Sequence, residues 1–225
     1  MSSHHHDQPA HDHDDSAMFT QEFWDERYAG STRVWSGKPN QRLVEQVADL
    51  PPGRALDIGC GEGADVVWLA KQGWDVTGVD VSQVALDRAA QHAADEGVDG
   101  RTSWLRVDLV GRDGTEVDPL PGGMDLVTSH YMHAPQDVFE ATYAAMAAAV
   151  RPGGTLLVVG HHPADADAGM RNERLTHLLF TQQRVVEALD RAEWDVQVSE
   201  AQPREATHDG QSVTVTDTVV RAVRR

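Results

Sequence analysis

Three glycines at alternate positions lie together with acidic residues in the stretch RALDIGCGEGAD, residues 54–65. Asp57 precedes the first glycine, and Glu62 lies between Gly61 and Gly63. Such a loop lets a ligand approach the backbone, because glycine has no Cβ. GCGEGA also matches the dinucleotide fingerprint G-x-G-x-x-G/A, but carboxylates beside the loop would repel a pyrophosphate. The residue types therefore favour a ligand that carries positive charge and no phosphate.

Two more carboxylates end the next two apolar stretches. Asp80 ends WDVTGVD, about 20 residues past the glycine loop, where a carboxylate meets ribose hydroxyls in nucleotide sites. Asp108 stands in LRVDL, where an adenine amino group is expected. S-Adenosylmethionine suits the whole set, because its ammonium and sulfonium are positive and it has no phosphate. Each aspartate taken alone could instead be a cap or a turn residue.

Four histidines mark a second candidate region. His130 and His133 stand in SHYMH, and His161 and His162 end the stretch TLLVVGHH. Any of them could be a general base, since an unperturbed imidazole has a pKa of about 6.5, or could line a pocket or cap a loop. No H-x₃-H spacing with a carboxylate is present, so the sequence predicts no metal centre. Acidic neighbours should raise the pKa of the Cys60 thiol and leave it as a small filler.

The elements that must position these residues follow from the pattern of apolar stretches. The short strands RALDIG, WDVTGVD, TSWLRVDL, MDLVTSHY and TLLVVGHH alternate with helical segments such as ADVVWLAKQG and SQVALDRAAQHAADEG, the latter with Ser82 as N-cap. This alternation predicts a parallel sheet with helices on both faces. WDVQVSEAQPRE and SVTVTDTVVRAV are separated by only a few residues, which predicts a hairpin and an antiparallel last strand.

Length, cysteine content and net charge limit the number of domains, the cellular setting and the kinds of partner that we expect. The chain has 225 residues, one cysteine and a net charge of −17. We expect one domain over residues 18–225, a reducing cytoplasmic setting and no membrane span or signal peptide. The negative charge argues against nucleic acid as a partner and for a small-molecule substrate. We also expect the protein to be a monomer or a homodimer. Residues 1–17 are dominated by His and Asp and predict a disordered tail, which could alternatively capture metal weakly.

From Phe19 to the C-terminus, the ordered set of glycine loop and carboxylates resembles the class I S-adenosylmethionine-dependent methyltransferases. The resemblance implies an α/β, Rossmann-like, doubly wound sheet of seven strands, mostly parallel with an antiparallel last strand. It implies S-adenosyl-L-methionine as cofactor, bound by Asp57, Gly59, Gly61, Gly63, Asp80, Val81, Asp108, Leu109, Ser129 and Trp35. The catalytic candidates are His133, His130 and Tyr28, and the substrate-binding candidates are Arg33, Tyr131, His161 and His162.

A narrower resemblance concerns residues 18–50, which we expect to form an N-terminal cap and a first helix. FWDERYAGSTRVWSGKPNQRL is similar to the cap of the tellurite-resistance and thiopurine or thiol S-methyltransferase group, which folds over the cofactor. Trp35 would then cover a ligand and Arg33 would bind an oxyanion, although Trp35 could equally pack in the core.

The resemblance implies a methyltransferase acting on a small molecule or inorganic anion with a soft nucleophile, such as a thiol or a selenium or tellurium oxyanion. Such acceptors need little beyond alignment with the S–CH₃ bond. The alternative within enzymes is an O- or N-methyltransferase of a small aromatic metabolite with His133 as general base. From other classes, the chain could be a nicotinamide oxidoreductase or a non-catalytic cofactor- or metal-binding protein.

Overall fold

The computed structural model describes residues 18–111, 118–167, 173–208 and 210–225, and the proposed tail of residues 1–17 lies outside them. A seven-stranded sheet runs through the molecule in the order β3-β2-β1-β4-β5-β7-β6. All pairings are parallel except those of β7 with β5 and with β6, which confirms the predicted sheet and its reversed last strand. The strands are β1 (Arg54–Ile58), β2 (Asp75–Asp80), β3 (Thr102–Arg106), β4 (Met124–His130), β5 (Val150–His161), β6 (Trp194–His208) and β7 (Gln211–Arg224).

Helices cover both faces of this sheet, as the alternating pattern predicts. They are α1 (Gln21–Ala29), α2 (Gln41–Val47), α3 (Ala64–Lys71), α4 (Gln83–Asp95), α5 (Phe139–Ala149), α6 (Ala164–Asp167) and α7 (Gln182–Glu187), with short 3₁₀ turns at Asp99–Arg101 and Glu173–Leu178. Ser82 is the N-cap of α4, where its hydroxyl accepts from the Ala85 amide. In the part of the chain that the structure describes, no helix has the length and apolar character needed to cross a membrane.

Two apolar clusters pack on opposite faces of the sheet. One combines β-strand residues with α5 and α7, and its largest buried side chains include Phe139, Tyr143 and Phe180. The other places α2 and α3 against the strands through Leu43, Leu69 and their neighbours. The central parallel strands β1, β4 and β5 are largely buried on both faces, which explains their nearly continuous apolar sequences, whereas the edge strand β3 is mostly exposed. The carboxyl ends of β1, β2, β4 and β5 therefore meet at one edge of a rigid sheet.

Candidate active site

The glycine loop turns the chain from β1 into α3 with three left-handed glycines. Gly59, Gly61 and Gly63 have φ values of 70°, 53° and 78°. A Cβ on Gly63 would lie 2.8 Å from Ala89 and from the Trp104 ring, so only glycine fits where the loop meets α4 and β3. The amides of Gly59 and Cys60 both donate to the Val79 carbonyl, which fixes the loop beside the end of β2.

Asp80 lies at the carboxyl end of β2, directly beside this loop. Its Oδ2 accepts from the Gly61 amide at 2.9 Å and its Oδ1 from the Ser82 amide at 2.9 Å. Burial raises the pKa of Asp80, although these backbone donors oppose the rise. The carboxylate is therefore held by neutral donors only, and it keeps its negative charge for a ligand at the loop.

Part of the N-terminal segment packs against the glycine loop. A Cβ on Gly61 would lie 3.0 Å from the Tyr28 hydroxyl and 3.2 Å from Trp35 Nε1. Trp35 Nε1 donates to the Tyr28 hydroxyl at 2.9 Å, and the Trp35 side chain remains 48% exposed. Tyr28 itself is buried, and burial together with Asp80 raises the pKa of its phenol strongly. Tyr28 therefore stays neutral and covers the loop.

Glu62 fastens this cap to the loop. Its Oε2 accepts from the amides of Val34 and Trp35 at 3.0 and 3.1 Å, and its Oε1 pairs with Arg88 at 3.1 Å. We expected Glu62 to favour a positively charged ligand, but the structure assigns its carboxylate to the cap and to α4. The sequence could not reveal this, because these partners lie 26–28 residues away.

A second acidic group lies beneath the loop. Asp57 at the end of β1, Asp65 in the first turn of α3 and His130 at the end of β4 bring their ligand atoms within 4.8 Å of one another. His130 Nδ1 is 2.9 Å from Asp65 Oδ2 and 3.7 Å from Asp57 Oδ1. We call these residues the carboxylate–histidine cluster. It can hold a metal ion or an ammonium, and the sequence analysis missed it because Asp65 was not among the candidates.

Burial and mutual charge perturb the titration of this cluster. Burial, followed by the neighbouring Asp65 carboxylate, raises the pKa of Asp57. Burial alone would lower the pKa of His130, but the carboxylates of Asp65 and Asp57 raise it instead. The excess of negative charge therefore favours a bound cation. Cys60 is buried nearby, and burial together with Asp80 raises the pKa of its thiol well above the usual value, the direction expected from its acidic neighbours.

The other predicted cofactor residues lie around the same edge. Asp108 Oδ1 accepts from the amides of Val110 and Gly111 at 3.0 and 2.9 Å, so it caps a turn two residues after β3 ends. Leu109 beside it is buried. Val81 links Asp80 to the N-cap of α4, and Ser129 is buried in β4 between β1 and β5.

The carboxyl ends of β4 and β5 carry a row of flat rings. Tyr131 stacks on His161 with a centroid distance of 4.3 Å, and His161 stacks on His133 at 5.2 Å. The His161 amide donates to His133 Nε2 at 3.4 Å, which places the proton of a neutral His133 on Nδ1. The structure thus separates the two histidines of SHYMH, because His130 faces the carboxylate–histidine cluster while His133 faces His161 and Phe180.

A buried carboxylate from the C-terminal hairpin holds this row in place. Asp217 of β7 is fully buried and accepts from the Tyr131 hydroxyl at 3.0 Å, from Arg204 Nε at 2.9 Å and from Arg42 Nε at 3.3 Å. Tyr131 is the one non-glycine residue of the described ranges with positive φ, 56°. Its pKa is raised to about 12 by burial and then by Asp217. Sequence reasoning singled out none of Asp217, Arg204 and Arg42.

The remaining two substrate candidates have local roles in this structure. His162 Nδ1 accepts from the Ala164 amide at 3.1 Å and so caps α6. Arg33 is exposed in the cap, with its guanidinium against Gly37. Two regions can be distinguished at this edge of the sheet. The glycine-loop side comprises the loop, Asp80, the cap and the carboxylate–histidine cluster, and the hairpin side comprises the ring row with Asp217 and its two arginines.

Comparison with known proteins identifies the central part of the chain. Residues 55–154 match the family described as a methyltransferase domain. Ribosomal RNA small subunit methyltransferase C of Alcanivorax borkumensis is 34% identical over 115 residues, 49% of this chain and 33% of that protein. Rat glycine N-methyltransferase is 29% identical over 154 residues, 61% of this chain and 50% of that protein. Thiopurine S-methyltransferase of Gluconobacter oxydans is 38% identical over 76 residues, 32% of this chain and 33% of that protein. The chain thus spans a third to a half of the length of these relatives.

Solved structures show the same fold over nearly the whole chain. A protein studied for the conversion of a disulfide bond into a thioacetal group in echinomycin biosynthesis has a TM-score of 0.71 at 20% identity, covering 91% of this chain and 92% of its own. TehB from Haemophilus influenzae gives 0.65 at 15% identity, covering 91% and 67%. Magnesium protoporphyrin IX methyltransferase from Synechocystis, solved with bound SAH, gives 0.62 at 18% identity, covering 94% and 100%.

Proposed function

We propose that this chain, which carries a methyltransferase domain of the S-adenosylmethionine-dependent superfamily, methylates a small molecule or inorganic anion through a soft nucleophile such as a thiol or a selenium or tellurium oxyanion. The observation that carries the proposal is the glycine-loop side, where bare backbone and unneutralised carboxylates meet at one sheet edge. The net charge of −17 supports a small acceptor over RNA. The lone buried thiol of Cys60 is consistent with a cytoplasmic setting.

The residues present fit S-adenosylmethionine. Asp80 lies against the Gly61 amide of the loop and offers a carboxylate for the ribose hydroxyls. Asp57 and Asp65 place two more carboxylates close together beneath the loop, which suits the ammonium of the cofactor. When bound, the cofactor supplies a methyl group activated on a sulfonium. Tyr28 and Trp35 would exclude water from the loop once the cap adjusts to the ligand.

The hairpin side supports an acceptor that needs no general base. His133 Nε2 accepts from the His161 amide, so the basic nitrogen of neutral His133 is already engaged. Tyr28 and Tyr131 have raised pKa values and stay protonated at neutral pH. A thiol with a pKa of about 8.5 ionises on its own and requires only in-line positioning. The stretch shared with thiopurine S-methyltransferase and with a probable thiol methyltransferase of Arabidopsis thaliana, 37% identical over 71 residues, supports the same acceptor class.

One observation favours the second candidate, O- or N-methylation of a small aromatic metabolite. The stacked rings of Tyr131, His161 and His133 form a flat row that suits a planar acceptor. In that reaction His133 would have to release the His161 amide and act as general base.

An acceptor screen with a release assay for S-adenosylhomocysteine tests the proposal. Thiols of graded pKa, selenite, tellurite and phenols are offered to the wild type, to His133→Ala and to the control His162→Ala. For thiols, the rate should rise with pH along each acceptor's own ionisation, and His133→Ala should cost less than about tenfold. Turnover of phenols with a loss of about 10²–10⁴-fold in His133→Ala alone would establish the second candidate. Turnover of none of these acceptors, with no cofactor binding by calorimetry, would refute both.

A further inference from the structure

The carboxylate–histidine cluster has the composition of a metal site. Asp57, Asp65 and His130 come from β1, α3 and β4, three elements that the two apolar clusters hold rigidly. Their side chains are 3%, 15% and 5% exposed. Two carboxylates and one imidazole form a compact donor set drawn from separate parts of the fold.

The His130 ring is only partly satisfied within this set. Its Nδ1 pairs with Asp65 Oδ2 at 2.9 Å, whereas its buried Nε2 makes no hydrogen bond to the residues that the structure describes. The carboxylates have further donors of their own, since Thr128 Oγ1 donates to Asp57 at 2.7 Å and the Asn40 amide donates to Asp65 at 2.6 Å. Buried polar atoms in native proteins almost always have a partner, so His130 can still take a ligand once its proton is displaced.

The spacing of the donor atoms matches a coordination shell. The His130 nitrogen lies 2.9 Å from one carboxylate oxygen and 3.7 Å from the other. Ligands bound at about 2.0–2.2 Å to one ion lie roughly 3–3.5 Å apart. Mixed imidazole and carboxylate donors suit Mn²⁺, Fe²⁺ and Zn²⁺. Thr128 and the Asn40 amide would serve as the outer partners that orient metal-bound carboxylates.

We propose that Asp57, Asp65 and His130 bind one divalent transition-metal ion, in the place that the ammonium of the cofactor would otherwise take. The second part rests on the proposed function, because it assumes that the cofactor amine uses the same carboxylates. The metal ion and the cofactor ammonium are both positively charged and would occupy the same position beside Asp57 and Asp65. The metal ion and the cofactor therefore compete. A divalent ion would then lower the affinity for the cofactor without touching the acceptor side.

Manganese titration followed by electron paramagnetic resonance tests the metal site, since free Mn²⁺ gives a signal that vanishes on binding. The reference is the full chain with the tail histidines His4, His5, His6, His11 and His13 replaced by Gln. We expect one bound Mn²⁺ per chain and a weakening of at least about tenfold in Asp65→Asn and in His130→Gln. Asp87→Asn, which removes an exposed carboxylate of α4, is the matched control and should bind as the reference does.

Thermal unfolding establishes that each variant is folded before its titration is interpreted. The absence of stoichiometric Mn²⁺ in the reference chain overturns the metal site, as does unchanged binding in both Asp65→Asn and His130→Gln. Calorimetry with S-adenosylhomocysteine tests the competition, and the apparent dissociation constant should rise in proportion to the Mn²⁺ concentration. An unchanged constant overturns the shared position. No binding of S-adenosylhomocysteine at all would refute the proposed function, while the manganese titration still decides the metal site.

Discussion

Asp80 and Asp217 are both acidic residues at the carboxyl edge of the sheet, but their surroundings differ. Asp80, on the glycine-loop side, accepts from the backbone amides of Gly61 and Ser82 and has no cationic partner among the described residues. Asp217, on the hairpin side, is neutralised by the guanidinium groups of Arg42 and Arg204. Asp80 keeps its charge available for a ligand, whereas the charge of Asp217 is consumed within the fold.

This difference indicates what each region can contribute to function. On the glycine-loop side, burial and the neighbouring Asp65 carboxylate raise the pKa of Asp57, so binding of a cation beside them is favourable. On the hairpin side, compensated charge stiffens a wall of rings and leaves no strong field for a ligand. The first region therefore determines which cofactor binds, and the second determines the shape of the space for the acceptor.

Removing the Asp217 carboxylate should produce the largest effect, a loss of unfolding free energy. Asp217→Ala removes the fully buried carboxylate that pairs with Arg42 and leaves that arginine only the partly exposed Glu45, and breaking a buried pair in this way costs about 3–5 kcal/mol of unfolding free energy. Urea unfolding measures the loss. Asp75→Ala is the control, because the exposed pair of Asp75 with Arg101 is worth less than about 1 kcal/mol. Equal losses in the two variants would remove the distinction between the regions.

Removing the Asp80 carboxylate should instead lower the affinity for the cofactor. Asp80→Ala loses charge-assisted hydrogen bonds worth about 1.5–3 kcal/mol each, so calorimetry should show S-adenosylmethionine binding weakened at least about tenfold. The melting temperature should remain close to that of the wild type, since Asp80 has no charged partner in the described structure. Unchanged affinity would mean that Asp80 does not contact the ribose.

The pH dependence of cofactor binding should sharpen the comparison. Ribose hydroxyls donate to the ionised carboxylate, and burial raises the pKa of Asp80 in the free protein. Affinity should therefore be complete above that raised pKa and should fall, by up to about tenfold per pH unit, as the pH decreases through it. The Asp80→Asn variant should lose this fall in affinity at low pH. Any pH dependence that arises from the titration of Asp57 and His130 should persist in it. Superimposable profiles for wild type and Asp80→Asn would contradict the assignment.

The smallest expected effect concerns the backbone of Tyr131. Its φ of 56° costs a side-chain-bearing residue roughly 1–2 kcal/mol, which glycine avoids. Tyr131→Gly should therefore be more stable than Tyr131→Ala by about 1 kcal/mol in urea unfolding, against the usual preference for Ala. A Tyr131→Ala variant as stable as Tyr131→Gly would show that the fold does not hold position 131 in the left-handed conformation.

The sequence predicted the glycine-loop side far better than the hairpin side. Asp57, Gly61 and Asp80 belong to a local motif whose spacing along the chain reflects strand–turn–helix geometry. Arg42 and Asp217 are 175 residues apart, and nothing in their local sequence indicates that they meet. Asp65 was not predicted as a site residue for a different reason. An aspartate in the first turn of a helix is already explained by its interaction with the helix dipole. Its contact with His130 depends on the β1–β4 pairing, which only the folded sheet provides.

The position of β7 has a consequence for how the protein is made. β7 lies between β5 and β6 in the sheet, although it follows both strands along the chain. At about 5–20 residues per second, the ribosome needs roughly 3–10 s to pass from the end of β5 at His161 to the start of β7 at Gln211. Throughout that interval β5 presents an open edge of unpaired amides and carbonyls, a template for pairing with other chains. A nascent chain that stalls before residue 211 would therefore carry a nearly finished glycine-loop side on a sheet prone to aggregation.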